Sequence, residues 1–454
     1  MAQQSYLIPV ALACTVALCG CTAPGNENPL ASSKTSPLNE MQKQAIVNTS
    51  SPLIGVDAAS AINPAPPPGG APMLPEADVG SPTQVSAGDL KAGSVDDNEA
   101  FSNYLKYLRA FDWSTAGMPP RKLDVSERVV IRVEDASERV VPDAEIVVEF
   151  MPDPIGAQAD GEASAAPVMG RAAPREVLLR TYADGQALLH PLAEAMSSGS
   201  FTVRASKNNA TGQATVKRED DTWVVKLTDG LEPQRTAIPL DLALVIDTTG
   251  SMGGEIAKFQ ATMESIIQRI KNLPQNPQLR LGLVAYRDKD EAYVTKMNPF
   301  TDDAQEFLRA LNDLSAAGGG DTPEDMEAAL KDCVNGLAWR EQDALRLSFL
   351  VADAAPHTDY PQSTPYTESL RIAARKGIKF YPIGASGLAP EGEYVMRQLA
   401  QWTRGQYMFV TRGGDENSGG GGAASANVEQ FSEGRLDDIV VERVTRELKK
   451  YAGE

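Results

Sequence analysis

The chain has 454 residues, enough for two or three domains with cores of their own. It carries 61 acidic against 42 basic residues, a formal net charge of -19, and that balance argues against nucleic acid as a partner, because phosphate recognition needs a basic face. Acidity of this size suits divalent cations, although a solvated surface is the simpler reading.

In chain order, the first element is an apolar run, "YLIPVALACTVALCGC", too short for a comfortable membrane span. Its end, Leu18-Cys19-Gly20-Cys21, resembles a bacterial lipoprotein signal. The resemblance implies that residues 1–20 are a signal peptide and that Cys21 is lipidated. The chain would then be held at a membrane of the cell envelope, either the outer membrane or the outer face of the inner one. The leading "MAQQS" has no Lys or Arg, a departure that keeps a plain secretory signal as the second reading. With Cys14 and Cys19 removed and Cys21 lipidated, Cys333 has no partner and no internal disulfide is expected. Cys333 falls on the apolar side of a helix and reads as an inert buried thiol.

Residues 21–98 are rich in Pro, Ala, Ser and Gly and lack apolar periodicity, so they read as a disordered tether. A short helix and linker follow over 99–120, with Phe101, Tyr104, Leu105 and Leu108 on one face. From 121 to 230 the pattern has period two. Val129, Ile131 and Val133 alternate with polar residues, as do Ile146, Val148 and Phe150, and Asp184-Gly185 marks a hairpin turn. This predicts a small β-sandwich. Its order of strands and turns resembles immunoglobulin-like and carboxypeptidase-regulatory-like modules, with Met151–Pro174 as a loop inserted between two strands.

From Ile238 to the C-terminus strands and helices alternate. "LDLALVID", "LRLGLVAYRD", "LRLSFLVAD", "IKFYPIGAS" and "GQYMFVT" read as strands. Amphipathic helices lie between them, the first burying Ile256, Phe259, Met263, Ile266, Ile267 and Ile270. Such alternation predicts an α/β fold, a doubly wound, mostly parallel sheet of Rossmann-like architecture with helices on both faces. A Gly-rich insertion spans 413–425, and a helix over 436–450 closes the chain.

Ligands of doubly wound folds sit beyond the carboxyl ends of the strands. Three loops at that edge stand out. One holds Asp247, Thr249 and Ser251. The second, "AAGGGDTPED", holds Asp321 and Thr322. The third, "LVADAAPH", begins with Asp353. Carboxylates and hydroxyls without Cys or His in matching positions suit a hard cation, Mg²⁺ above all, with Mn²⁺ or Ca²⁺ as alternatives.

These residues carry a second resemblance. Asp247-Thr248-Thr249-Gly250-Ser251 is similar to the D-x-S/T-x-S signature of von Willebrand factor A (VWA) domains. "GGGDTPED" is similar to the loop that supplies their Thr, "VADAAPH" to the loop of their second Asp, and "LGLVAYRD" to their second strand. The resemblance covers about Ile238 to the C-terminus. It implies a metal-ion-dependent adhesion site (MIDAS) in which Thr249, Ser251 and Thr322 contact the ion and Asp247 and Asp353 neutralise it. Asp321 is a further candidate. An open coordination position would accept an acidic side chain from a protein partner. Thr249 stands where Ser is commoner, and Ala354 where Gly is frequent.

Each piece also has a plainer explanation. Thr322-Pro323-Glu324-Asp325 reads as a helix start, with Thr322 as cap. Asp247 could cap the next helix and Asp353 could be a turn acid. Glu255 and Glu324 read as solvated acids at helix starts, and His357 as a loop residue near the site. A haloacid-dehalogenase-type phosphatase would place a general acid where Thr249 stands, "AAGGGD" lacks the Lys-Ser/Thr of a P-loop, and no zinc cluster or catalytic triad is present. A binding protein is therefore expected rather than an enzyme. The alternative is a VWA scaffold within an envelope assembly, its metal site structural or vestigial.

Overall fold

The computed structural model describes residues 91–150, 175–230, 237–320, 322–361, 363–411 and 431–454. The expected signal peptide, the lipidation site Cys21, the tether up to residue 90, the inserted loop, Asp321 and the Gly-rich run lie outside the described residues. Strand β1 (Lys91–Val95) and helix α1 (Phe101–Ala110) come first. Seven strands follow: β2 (Val129–Glu134), β3 (Glu145–Phe150), β4 (Arg175–Arg180), β5 (Gln186–Leu189), β6 (Ser200–Lys207), β7 (Ala210–Lys217) and β8 (Thr222–Lys226). The alternating region then runs β9 (Pro239–Asp247), α2 (Gly253–Lys271), β10 (Gln278–Tyr286), β11 (Thr295–Thr301), α3 (Ala304–Asn312), α4 (Met326–Lys331) and β12 (Leu345–Ala352). It ends with α5 (Tyr366–Lys376), β13 (Ile378–Gly384), α6 (Pro390–Trp402), β14 (Tyr407–Thr411), β15 (Ser432–Arg435) and α7 (Leu436–Ala452).

The main sheet has the order β11-β10-β9-β12-β13-β14-β1-β15. Strands β10, β9, β12, β13 and β14 are mutually parallel, and β11 and β1 run antiparallel to their neighbours. All nine residues of β9 are buried, as a parallel strand covered on both faces requires. Alternate side chains of β9 feed two cores. Leu242, Leu244 and Ile246 pack with the apolar faces of α2, α3 and α7. Ala243 and Val245 share a core with α4, α5 and α6. Gly377, at φ +67°, ends α5 by donating its N–H to Ala373 and Ala374, a left-handed cap that a residue with a Cβ adopts only with strain.

The preceding strands form a three-stranded sheet, β5-β2-β8, and a four-stranded sheet, β4-β3-β6-β7. Their inward residues, among them Ile131, Ile146, Val203 and Trp223, belong to the same continuous core as Ala373, Phe380 and Trp402 of the main sheet's α5–α6 side. The two regions therefore share one interior, and all described elements fall in one compact unit, Gly80–Glu454. A buried ion pair joins them: Arg346 of β12 meets Asp143 in the turn before β3. Lys207 and Arg180 also reach Asp143, and the Asp343 N–H donates to its carboxylate.

The tether expected to run to residue 98 ends earlier. Lys91–Val95 is an interior strand of the main sheet, paired with β14 on one side and β15 on the other. Its sequence, "KAGSV", is too short and too small in side chain to show a period, and its placement rests on fit instead. Gly93 leaves room for the Phe409 ring, which a Cβ there would strike. Just beyond, Asp97 makes a bidentate, buried ion pair with Arg397 of α6. Strands β11 and β15 also went unanticipated, because their largely exposed residues lack apolar alternation.

Candidate functional site

Strands β9 and β12 are parallel neighbours, with Val351 level with Ile246, so Asp247 and Asp353 leave the sheet side by side. After Asp247 the backbone stays extended at Thr249 and turns through Gly250–Met252 into α2. The turn is built around the Asp247 carboxylate. Asp247 Oδ1 accepts the Thr249 N–H at 2.9 Å and the Thr249 hydroxyl at 2.8 Å. Thr249 Oγ1 lies 3.5 Å from Ser251 Oγ, and the Ser251 hydroxyl is near enough to Asp353 to favour its charged form. Asp247 does not cap α2, whose first residues receive no side-chain cap.

The Gly-rich loop is sewn to the first loop by backbone. Ala317 N–H donates to the Thr248 carbonyl and Gly250 N–H to the Gly318 carbonyl, both at 3.1 Å. Gly318 and Gly319 have φ of +79° and +71°, which favours glycine at both. A Cβ on Gly319 would stand 2.9 Å from Thr249 Cβ and 3.1 Å from Glu324 Oε1. The third loop joins by a two-way bridge: Glu324 N–H donates to the Ala355 carbonyl at 3.0 Å, and His357 N–H to the Glu324 carbonyl at 2.9 Å. Asp247, Thr249, Ser251 and Asp353 are thus brought together.

Two expectations are corrected here. The cap of α4 is Asp325, which accepts the Ala328 N–H at 3.0 Å, and not Thr322. The Glu324 backbone is committed to the third loop, so the helix cannot start before Asp325. Thr322 stands exposed beside the glycines, and among the described residues no hydrogen bond links its side chain to the other four candidates. Glu324 is not a solvated acid; it is 2 % exposed and turned inward. The pairing with Ala355 that aims it inward spans 31 positions and leaves no local signal. Glu255, by contrast, remains partly exposed at the start of α2.

Tyr286, at the end of β10, marks where the charges converge. Its phenol is fully buried, and its pKa is pushed well above the ordinary value by that burial and then by the charges of Asp247, Asp353 and Glu324. Burial is also the main cause that raises the Asp247 carboxyl to about 7, against the two hydrogen bonds from Thr249 and with a further push from Asp353. Asp353 is raised as well, by burial first, with the Ser251 hydroxyl opposing it. No ion pair among the described residues reaches Asp247 or Asp353. Asp247 Oδ2 and Asp353 Oδ1 are buried, and each lacks a well-formed hydrogen bond among the described residues. Tyr286 gives Asp247 only the smallest of its stabilising contacts.

Two orphaned carboxylate oxygens beside two hydroxyls make a donor set that fits a hard cation. It is not a carboxylate cage: among the described residues no three His, Cys, Asp or Glu side chains could hold a metal by themselves. The hydroxyls of Thr249 and Ser251 would have to complete the shell. His357 lies outside the set. Its Nδ1 is 2.8 Å from Asp359, its Nε2 is 3.7 Å from Asp288, and its ring stacks on Tyr360. Cys333 is buried, and burial pushes its thiol up to about 12, in keeping with an inert side chain.

A family model described as the von Willebrand factor A domain matches residues 241–372, which include the whole candidate site. The chain is 32 % identical over 123 residues to a putative ariadne-like RING finger protein of Acanthamoeba polyphaga mimivirus, a match covering 26 % of this chain and 11 % of that protein. It is 28 % identical over 123 residues to an alpha-protein kinase of Dictyostelium discoideum, covering 27 % and 19 %. It is 32 % identical over 139 residues to human von Willebrand factor A domain-containing protein 7, covering 31 % and 14 %. In each case the match spans less than a fifth of the relative's length.

Proposed function

Since residues 241–372 are a von Willebrand factor A domain, we propose that the protein binds a protein partner through a divalent cation at the edge formed by Asp247, Thr249, Ser251 and Asp353, with Thr322 from the neighbouring loop. The observation that carries this reading is the pair of buried, orphaned oxygens on Asp247 and Asp353, on carboxylates that no cationic side chain among the described residues neutralises. Asp247 and Asp353 would supply the charge, and the hydroxyls would supply neutral oxygens. A bound Mg²⁺, or Mn²⁺ or Ca²⁺, would add a position open to an acidic side chain of the partner. The net charge of -19 speaks against nucleic acid as that partner. We further propose that Cys21 carries lipid and holds the chain at a cell-envelope membrane, where adhesion or envelope assembly is its role.

A second reading, a scaffold in an envelope complex whose metal site is structural or vestigial, is favoured by one observation. The β2–β8 region and the α5–α6 side of the main sheet share a single core, which suits a rigid spacer in an assembly. An enzymatic role is the weakest reading, because Thr249 occupies the place where a phosphatase of the haloacid-dehalogenase type needs a general acid. The deciding experiment is a pull-down from envelope extract with the full chain, in Mg²⁺ and in EDTA. Partner capture lost in EDTA and absent with Asp247→Asn supports the first reading. Capture indifferent to both supports the scaffold.

A further inference from the structure

The loop between β10 and β11, residues 287–294, touches all three loops of the candidate site, although it contributes no expected ligand. Arg287 Nε donates to the Thr248 carbonyl at 3.2 Å, and its Nη2 to the Ser315 carbonyl at 2.9 Å. The Arg287 guanidinium also lies over the Tyr293 ring, 4.6 Å from its centre. Tyr293 Oη is 2.8 Å from Thr248 Oγ1, and that hydroxyl in turn donates to the Tyr286 carbonyl at 2.7 Å. Asp288 accepts the Tyr360 hydroxyl on both oxygens, at 2.9 and 3.0 Å, which ties in the third loop. Glu291 Oε1 accepts the Gly319 N–H at 2.9 Å. A Cβ on Gly318 would run into that same carboxylate.

We propose that Glu291 is a positioning residue for the cation site, which rests on the reading of that site given above. Its carboxylate pins the N–H of Gly319, and Gly319 lies so near Thr249 that a Cβ there would stand 2.9 Å from Thr249 Cβ. A Gly-Gly pair with both φ positive has many alternative conformations, so one external acceptor selects the conformation that seats Thr249. Arg287 and Tyr293 do the same for Thr248 on the other side. The hydroxyl ligands are thereby held by neighbours that touch no ion, in the way outer-shell partners orient ligands in metal sites. Asp247 fixes Thr249 from beneath, and the backbone bonds of Ala317 and Gly318 hold the start of the Gly loop, but none of these reaches the Gly319 N–H.

The test uses the full chain and three variants: Glu291→Gln, which keeps an oxygen acceptor for Gly319; Glu291→Ala, which removes it; and Tyr293→Phe, which removes one of the contacts that hold Thr248. Two readouts are taken. Amide hydrogen exchange of the segment around Gly319 is measured in EDTA, and Mg²⁺ and Mn²⁺ affinity by calorimetric titration. Glu291→Ala should speed the exchange and weaken cation affinity by about tenfold, the size seen when outer-shell partners are removed. Glu291→Gln should stay within about threefold of wild type in both, since the acceptor survives while the charge is lost. Tyr293→Phe should weaken affinity without changing exchange at Gly319. If Glu291→Gln falls as far as Glu291→Ala, charge rather than position is at work and the proposal is overturned. Unchanged exchange and affinity in Glu291→Ala overturns it as well. If wild type binds neither cation, the reading of the site fails, and the exchange in EDTA still decides whether Glu291 orders the Gly loop.

Discussion

Arg346 Nη1 donates to Asp143 Oδ1 at 2.7 Å, with both side chains 2 % exposed and 203 positions apart in the sequence. Burial alone would raise the Asp143 carboxyl, but Arg346, Lys207 and Arg180 together hold it below its ordinary value. The first prediction follows from that balance. Asp143→Ala leaves Arg346 buried without its anion, which should cost about 3 kcal/mol or more in urea unfolding. Substituting both residues by apolar ones of similar size should cost less than the single change. A double-variant loss equal to the sum of the two single losses would show that the pair carries no coupling.

The second prediction concerns where the protein can be cut. A chain beginning at residue 238 would lose β1, the Asp97 partner of Arg397 and the Asp143 partner of Arg346. It should be insoluble or melt far below the full chain. A chain beginning at residue 80 should match the full chain in thermal unfolding, and one beginning at residue 99 should not. Equal melting of the chains beginning at 80 and 99 would mean that β1 adds nothing.

A third prediction comes from Asp247. Its folded pKa, about 7, lies above the ordinary 3.8. The stability this shift confers is full below the unfolded value and is lost as pH rises through 7, a change of at most a few kcal/mol. In EDTA the full chain should therefore lose stability between pH 5 and 8, and Asp247→Asn should flatten that fall. Mg²⁺ at pH 8 should restore wild type, since a ligand of the folded state stabilises by mass action, and should leave Asp247→Asn unmoved. A wild type whose melting at pH 8 is the same in Mg²⁺, Mn²⁺, Ca²⁺ and EDTA would sink the cation reading.

The fourth prediction lies on the acid side. His190 is fully buried, its ring 4.7 Å from that of Trp402, and burial lowers it to about 3 against the hydrogen bond that its Nδ1–H donates to the Glu127 carbonyl. A group whose folded pKa is depressed contributes stability that is present above the unfolded value, 6.5 here, and lost as pH falls toward the folded one. Unfolding measured from pH 7 down to 4 should show this loss, and His190→Phe should reduce the slope. A slope unaltered in a well-folded variant would move the cause to other groups.

A fifth prediction is simple to run. Cys333 is buried, and the reagent that reaches an exposed thiol should not modify it until the protein unfolds. Modification of the native chain at the rate of a free thiol would contradict the packing around Ser348 and Trp339.

Much of the main sheet was legible because its signals are local. The run ending in Asp247, polar before it only at Asp241, reads as a doubly covered strand, and α2 declares its buried face by spacing. Asp247, Thr249 and Ser251 were legible for the same reason, being two apart on one turn. Asp353 was legible as the first acid after a buried run. What escaped depends on contacts across the chain. Glu324 points inward because Ala355 and His357 hold its backbone. Glu291 meets the Gly318-Gly319 pair only in the fold, where it accepts the Gly319 N–H. Residues 91–95 form a strand because β14 and β15 leave a slot of the right width. None of these partners is within reach of a sequence window.

That slot has a mechanical consequence. Lys91–Val95 is hydrogen-bonded along both flanks, to Tyr407–Thr411 and to Ser432–Arg435. A load pulling on the segment before Lys91 would run along the strand, so the bonds on both sides must slip together rather than open one by one like a zipper at an edge. Behind the strand, the Asp97–Arg397 clasp would take up the tension before α1 or the β2–β8 sheets felt any. Traction from the N-terminal side would thus enter the main sheet directly, through a short strand held on both flanks, and bypass the smaller sheets.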